Sequence, residues 1–285
     1  MKITKIKPIG YCKGVYQAIN TVYDVVKQYP HLPIYCMGQI VHNDFINHQF
    51  EKLGVHIITK NKMQFLHSIE KGVVIFSAHG TSQDLLKKAQ EKNLIVINTI
   101  CPYVLKEMNI VQKYVNEGFE ILYIGKKNHP EAEAICSISA NIHLIETMED
   151  AKKFQINHSK LFLTNQSTLS ITNLYEFFQY FKKKYPQVVI SDEICSATRV
   201  RQEAVINLDS SVDGVLVIGD SHSNNCTNLY LLAKKQKKDA KMISSKKDLD
   251  FQWLQNKTHV ALLSGTSTPL EIIKEIENEL KKQFF

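Results

Sequence analysis

At 285 residues, 44% hydrophobic and 22% charged, the chain has the make-up of an ordinary globular protein, long enough for two or three packed cores. Disorder is excluded, and with neither an apolar signal core at its start nor any stretch near the ~18 to 20 apolar residues of a membrane span, the sequence predicts a cytoplasmic protein. The net charge of +7 comes from lysine, arginine being confined to Arg199 and Arg201; a nucleic-acid module would show clustered arginine with interleaved aromatics, so the charge reads as a solvated face that also attracts anions.

From the N terminus, "MKITKIKPIG" reads as a strand running into a loop, and residues 14 to 29 follow with helical periodicity. The β-branched runs "PIYCMG", "VVIFSAHG" and "LIVINT" come next, with a helix over 84 to 92 between the last two. A helix over 103 to 117 leads to "FEILYIG" and "KLFLTNQ", one over 171 to 185 to "VVISD", and one over 197 to 209 to "GVLVIG" and "VALLSG". The segment "PLEIIKEIENELKKQFF" closes the chain as a helix over 269 to 284 with proline in its first turn. Nine strands alternating with helices predict parallel sheets flanked by helices, with ligands collecting beyond the carboxyl ends of the strands.

Cys12, Cys101 and Cys195 each follow such a strand, at spacings of 89 and 94 residues. A second polar loop follows each cysteine by 28 to 30 residues, carrying His42, His129 and Ser223, and a third follows by 66 to 72, carrying His79, Ser167 and Ser267. This is a threefold internal repeat, three strands to a unit, which predicts three similar α/β modules with small parallel sheets in a pseudo-threefold trefoil around a shared centre. The repeat places them at residues 1–98, 99–192 and 193–285.

In a reducing compartment these widely spaced cysteines read as ligands or catalytic groups, not disulfides. Zinc normally takes four ligands with close pairs such as C-x-x-C, and none occurs here. An iron-sulfur cubane on three thiolates leaves one iron open as a Lewis acid beside a source of electrons. Cys36, Cys136 and Cys226 break the repeat and are expected to pack in the core. His42, His79 and His129, grouped with Ser223, Asn225 and Ser267, supply the imidazole, hydroxyl and amide donors that a diphosphate needs, and "SAHGTS" and "SGTSTPL" place small residues ahead of helices whose N–H groups point at an anion. Glu131, in "NHPEAEA", is the carboxyl group expected to supply protons, with Asp44 and Asp220 as rivals. The hydroxyls of Ser167 and Thr168 either hold a substrate alcohol or cap a helix.

Taken in order, "GYCKGV", "VHN", "SAHG", "TICPYV", "HPEAEA", "NQSTLS", "ICSATRVRQEAV" and "SGTSTP" resemble the motifs of the 4-hydroxy-3-methylbut-2-enyl diphosphate reductase family over nearly the whole chain. The resemblance implies a [4Fe-4S] cluster on Cys12, Cys101 and Cys195. It implies a diphosphate held by His42, His79, Ser223, Asn225 and Ser267, a site closed by His129, protons from Glu131 and an alcohol oriented by Thr168. It further implies an allylic diphosphate substrate, an external electron donor such as ferredoxin or flavodoxin, a monomer or homodimer, and no nucleic-acid or membrane partner.

The chain departs from the family pattern in "GDSHSNNCTNL", where Asn224 stands for a second serine and Asn228 for an arginine, and "INTIC" lacks an acidic residue before the second cysteine. Asn224 can still donate to phosphate, so these departures bear on affinity more than on reaction type. Two other readings of three cysteines around a cluster are a quinolinate synthase-like dehydratase and a non-catalytic iron-sulfur sensor or carrier; a carrier would need no converging set of histidines and serines.

Overall fold

The computed structural model describes residues 1–191 and 194–284, so the expected module boundary between 192 and 193 lies outside the described residues. The strands are β1 (Lys2–Lys5), β2 (Ile34–Met37), β3 (Val55–Ile58), β4 (Val73–Phe76), β5 (Ile95–Asn98), β6 (Glu120–Ile124), β7 (Ile142–Ile145), β8 (Leu161–Asn165), β9 (Val189–Ile190), β10 (Gly214–Ile218), β11 (Asp239–Ile243) and β12 (His259–Ser264). The helices are α1 (Lys13–Gln28), α2 (Asp44–Lys52), α3 (Lys62–Ser68), α4 (Gln83–Glu91), α5 (Pro102–Asn116), α6 (Pro130–Cys136), α7 (Met148–Lys153), α8 (Ile171–Lys184), α9 (Ser196–Ile206), α10 (Asn224–Lys235), α11 (Phe251–Gln255) and α12 (Leu270–Phe284).

These strands form three parallel four-stranded sheets, ordered β3-β2-β4-β5, β7-β6-β8-β9 and β11-β10-β12-β1. The three orders coincide if β1 is counted as the strand after β12. The repeat therefore closes on itself: β1 pairs with β12 in register Lys2 to His259 through Lys5 to Leu262. A tripartite α/β architecture is thus present, but each sheet has four strands where nine runs predicted three. The additional strands, β3, β7 and β11, are all sheet edges.

The central strands β4 and β10 are buried on both faces, which is why their sequences are continuous apolar runs and not alternations. Val215 and Val217 of β10 pack with Leu229 and Leu232 of α10, while Leu216 and Ile218 face Ile273, Ile276 and Leu280 of α12. Likewise Leu122 and Ile124 of β6 join Leu174, Phe177 and Phe181 of α8, while Ile121 and Tyr123 join Val111 of α5 and Ile135 of α6. Among the described residues no helix is long and apolar enough to cross a membrane.

The chain divides into two compact units. One comprises Met1–Val15, His42–Ile46 and Cys195–Phe285 and contains the β11-β10-β12-β1 sheet; the other comprises Tyr16–Val41 and Asn47–Ile194 and contains the two remaining sheets.

Candidate active site

All nine loops singled out in the sequence follow a strand's carboxyl end and precede a helix. Each cysteine of the repeat opens a helix: Cys101 and Cys195 are the N-cap residues of α5 and α9, and Cys12 directly precedes α1. The first-turn N–H groups and the positive dipole end of a helix suit an anionic ligand at that position. The Val15 amide also donates to Cys12 Sγ at 3.5 Å. None of the three forms a disulfide and all are partly accessible, whereas Cys36 and Cys226 are buried and burial pushes their thiols up. Cys136, at the opposite end of a helix, is raised for the same reason. Half-buried thiols at helix N-termini are donors of the kind a soft metal takes.

In the unit built on the β11-β10-β12-β1 sheet, hydrogen bonds link Cys12 to Cys195 through intermediate residues. The Cys12 amide donates to Thr266 O at 3.0 Å, the Thr266 amide to Asn225 Oδ1 at 3.2 Å, Asn225 Nδ2 to Thr198 Oγ1 at 3.4 Å, and the Thr198 amide to Cys195 O at 2.8 Å. Asn225, expected to hold diphosphate, is buried and braces the two cysteine loops through both ends of its amide. Ser223 caps α10 by accepting the Cys226 amide at 3.4 Å, and Asn224 occupies that helix's first position. Ser267, also buried, donates its hydroxyl to His42 O at 3.1 Å. Burial lowers the His42 imidazole's pKa, with Asp220 pulling the other way. The rival carboxylate Asp220 is already engaged, accepting the amides of His222 at 2.8 Å and Asp44 at 3.1 Å and facing His222 Nδ1 at 3.0 Å.

The other unit gathers Cys101, His79, His129, Glu131, Ser167 and Thr168 along one line of contacts. The Cys101 amide donates to Ala78 O at 2.9 Å, beside His79. The rings of His79 and His129 meet edge to face, centroids 5.7 Å apart. His129 caps α6, its Nδ1 accepting the Glu131 amide at 3.2 Å. Gly80 has φ +90°, and a Cβ there would press on Ala134 of α6; glycine at this point brings the His79 loop against the helix that carries Glu131. Glu131 is 1% exposed, and Ser167 bonds both of its oxygens. Burial outweighs those two bonds and raises the carboxyl to about 7, with the charge of Glu107 adding to the rise. Thr168 Oγ1 accepts from Gln166 Nε2 at 3.0 Å.

Two buried charged residues were missed in the sequence. Glu107 accepts the Thr164 hydroxyl, and Arg201 reaches the Cys12 loop. Both lie six residues after a repeat cysteine, a coincidence that aligning the cysteine-led helices would have exposed.

The LytB protein family model matches residues 3–281. The chain is 39% identical over 283 residues to 4-hydroxy-3-methylbut-2-enyl diphosphate reductase of Bacillus licheniformis, covering 97% of this chain and 89% of the relative. To the enzyme of that name from Malacoplasma penetrans it is 40% identical over 281 residues, covering 94% and 93%. The structure is similar to that of E-1-hydroxy-2-methyl-but-2-enyl-4-diphosphate reductase from Plasmodium falciparum, with TM-score 0.92 and 33% identity over 98% of this chain and 88% of the other. A second solved structure, (E)-4-hydroxy-3-methyl-but-2-enyl diphosphate reductase, gives TM-score 0.70 and 26% identity over 99% and 100%.

Proposed function

The chain belongs to the LytB family, and on that premise we propose that it is a 4-hydroxy-3-methylbut-2-enyl diphosphate reductase, converting its substrate to isopentenyl and dimethylallyl diphosphate as the last step of the non-mevalonate isoprenoid pathway. The substrate's C–O bond is broken, a C–H bond is made, and two electrons and two protons are consumed as the hydroxyl leaves as water.

Cys12, Cys101 and Cys195 are the residues that would hold a [4Fe-4S] cluster. When bound, it supplies electrons and an iron without a fourth protein ligand. The observation that carries the reading is Glu131: a carboxyl sealed from water, gripped at both oxygens by Ser167 and raised to about 7, is a proton donor at neutral pH. Thr168 orients the substrate alcohol. His42, His79, His129, Ser223, Asn224, Asn225 and Ser267 bind the diphosphate, aided by amides at the helix N-termini. Of these, Asn225 and Ser267 contribute mainly by holding backbone donors in place, because their own polar groups already have partners.

The three repeat units, 1–98, 99–192 and 193–285, each deliver one cysteine. We place the protein in the cytoplasm as a monomer or homodimer that receives electrons from a ferredoxin or flavodoxin. The test is an anaerobic assay of the iron-loaded protein with a reduced donor and the allylic diphosphate, followed by mass. The two isomeric products are expected; loaded protein that consumes no substrate would refute the reading.

A further inference from the structure

Arg201 is 4% exposed, and among the described residues it is the one buried lysine or arginine. An unpaired buried cation is costly, so something must compensate it. Its Nη2 donates to Gly10 O at 2.6 Å and its Nη1 to Ala197 O at 2.9 Å. Gly10 lies two residues before Cys12, and Ala197 two residues after Cys195. One guanidinium therefore ties together the backbones that carry two of the repeat cysteines.

The Gly10 end of this tie is built for its place. Gly10 has φ +83°, a Cβ there would collide with Leu270, and its amide donates to Ser264 Oγ at 2.7 Å. Burial lowers the Arg201 pKa, and the nearby sulfurs of Cys12, Cys195 and Cys226 oppose that lowering. Cys226 is buried with its thiol raised by burial, whereas Cys12 and Cys195 are the half-buried pair whose loops the guanidinium ties together. At the same repeat position α1 carries Ala18 and α5 carries Glu107, so the cation belongs to this location and not to the repeat.

We propose that Arg201 is a positioning residue for the Cys12–Cys195 pair: its two-pronged hydrogen bonding sets the cysteine loops before a cluster binds, and its charge offsets the thiolates and eases reduction of the cluster. The proposal rests on the reading that these cysteines are cluster ligands. Arginine suits both tasks, being permanently charged and planar, whereas lysine keeps the charge and loses the fork.

The test compares parent, Arg201→Lys and Arg201→Met in two ways. Hydrogen exchange of the iron-free proteins should show the Cys12 amide and the first turn of α9 exchanging about tenfold faster in both variants. The midpoint potential of the reconstituted proteins should be more negative in Arg201→Met and close to the parent's in Arg201→Lys. Unchanged exchange in both variants overturns the clamp. An unchanged potential in Arg201→Met, or an equal drop in both variants, overturns the electrostatic role. If Arg201→Met does not fold, exchange and potential in Arg201→Lys decide, a large drop in potential counting against the charge effect. A parent protein that takes up no iron refutes the functional reading and with it the electrostatic half, while the exchange comparison still decides the clamp.

Discussion

Ser167 holds both carboxyl oxygens of Glu131: its amide donates to Oε1 at 2.7 Å and its hydroxyl to Oε2 at 2.8 Å. Both bonds favour the ionised carboxylate, yet burial prevails and the group stays protonated up to about pH 7. The rate should therefore fall as pH rises through that value. Glu131→Gln should lower kcat by ~10²-fold or more and abolish this limb. Ser167→Ala removes one bond to the ionised form, so the limb should move to higher pH. Measured pH–rate profiles of the three proteins check this.

The same carboxyl makes stability depend on pH. Its folded pKa lies above the ordinary 4.5, so between 4.5 and about 7 the native state binds more protons than the unfolded one, and stability falls as pH rises. Relative to Glu131→Gln, the parent should lose on the order of 2–3 kcal/mol across that window and little more above it. Denaturant unfolding at pH 4.5, 6 and 7.5 measures the difference.

Gly265 has no room for a side chain, because a Cβ would fall on Cys226 Sγ. Gly265→Ala should cost about 1–3 kcal/mol by overpacking. Cys226→Ala removes the obstructing atom, so the double variant should be more stable than the sum of the single changes allows, a positive coupling that thermal unfolding will reveal.

Asn225 joins Thr266 to Thr198 from within the fold. Asn225→Ala should leave the half-buried Thr266 amide without its acceptor, cost about 1–3 kcal/mol and raise KM. Asn225→Asp keeps an acceptor but adds a negative charge near the expected diphosphate, so it should recover part of the stability while KM stays high. Unfolding and steady-state kinetics separate the two effects.

The central strands were legible because burial on both faces leaves an uninterrupted apolar run, as in "GVLVIG". The edge strands β3, β7 and β11 were not, since His56 at an exposed position and His143 and Lys241 at half-covered ones break their apolar character. The pairing of β1 with β12 joins residues some 257 apart in sequence, a distance over which local pattern is silent. The loop positions and the cysteine spacing were readable from the repeat. The second roles of Asn225 and Ser267 were not, because residue type shows what a side chain can bond and not which partner reaches it first. Arg201 was overlooked because its charge was counted with the lysine surface, whereas only its hydrogen bonds to Gly10 and Ala197 reveal it as internal.

The most direct measurement is iron and acid-labile sulfide per chain after anaerobic reconstitution of the parent and six single cysteine-to-serine variants. The parent should hold about four of each. Cys12→Ser, Cys101→Ser and Cys195→Ser should lose the brown chromophore or release it within the experiment, while Cys36→Ser, Cys136→Ser and Cys226→Ser should keep it wherever they fold. Full and lasting loading of any of the first three would contradict the assignment of that cysteine and the three-thiolate site built on it.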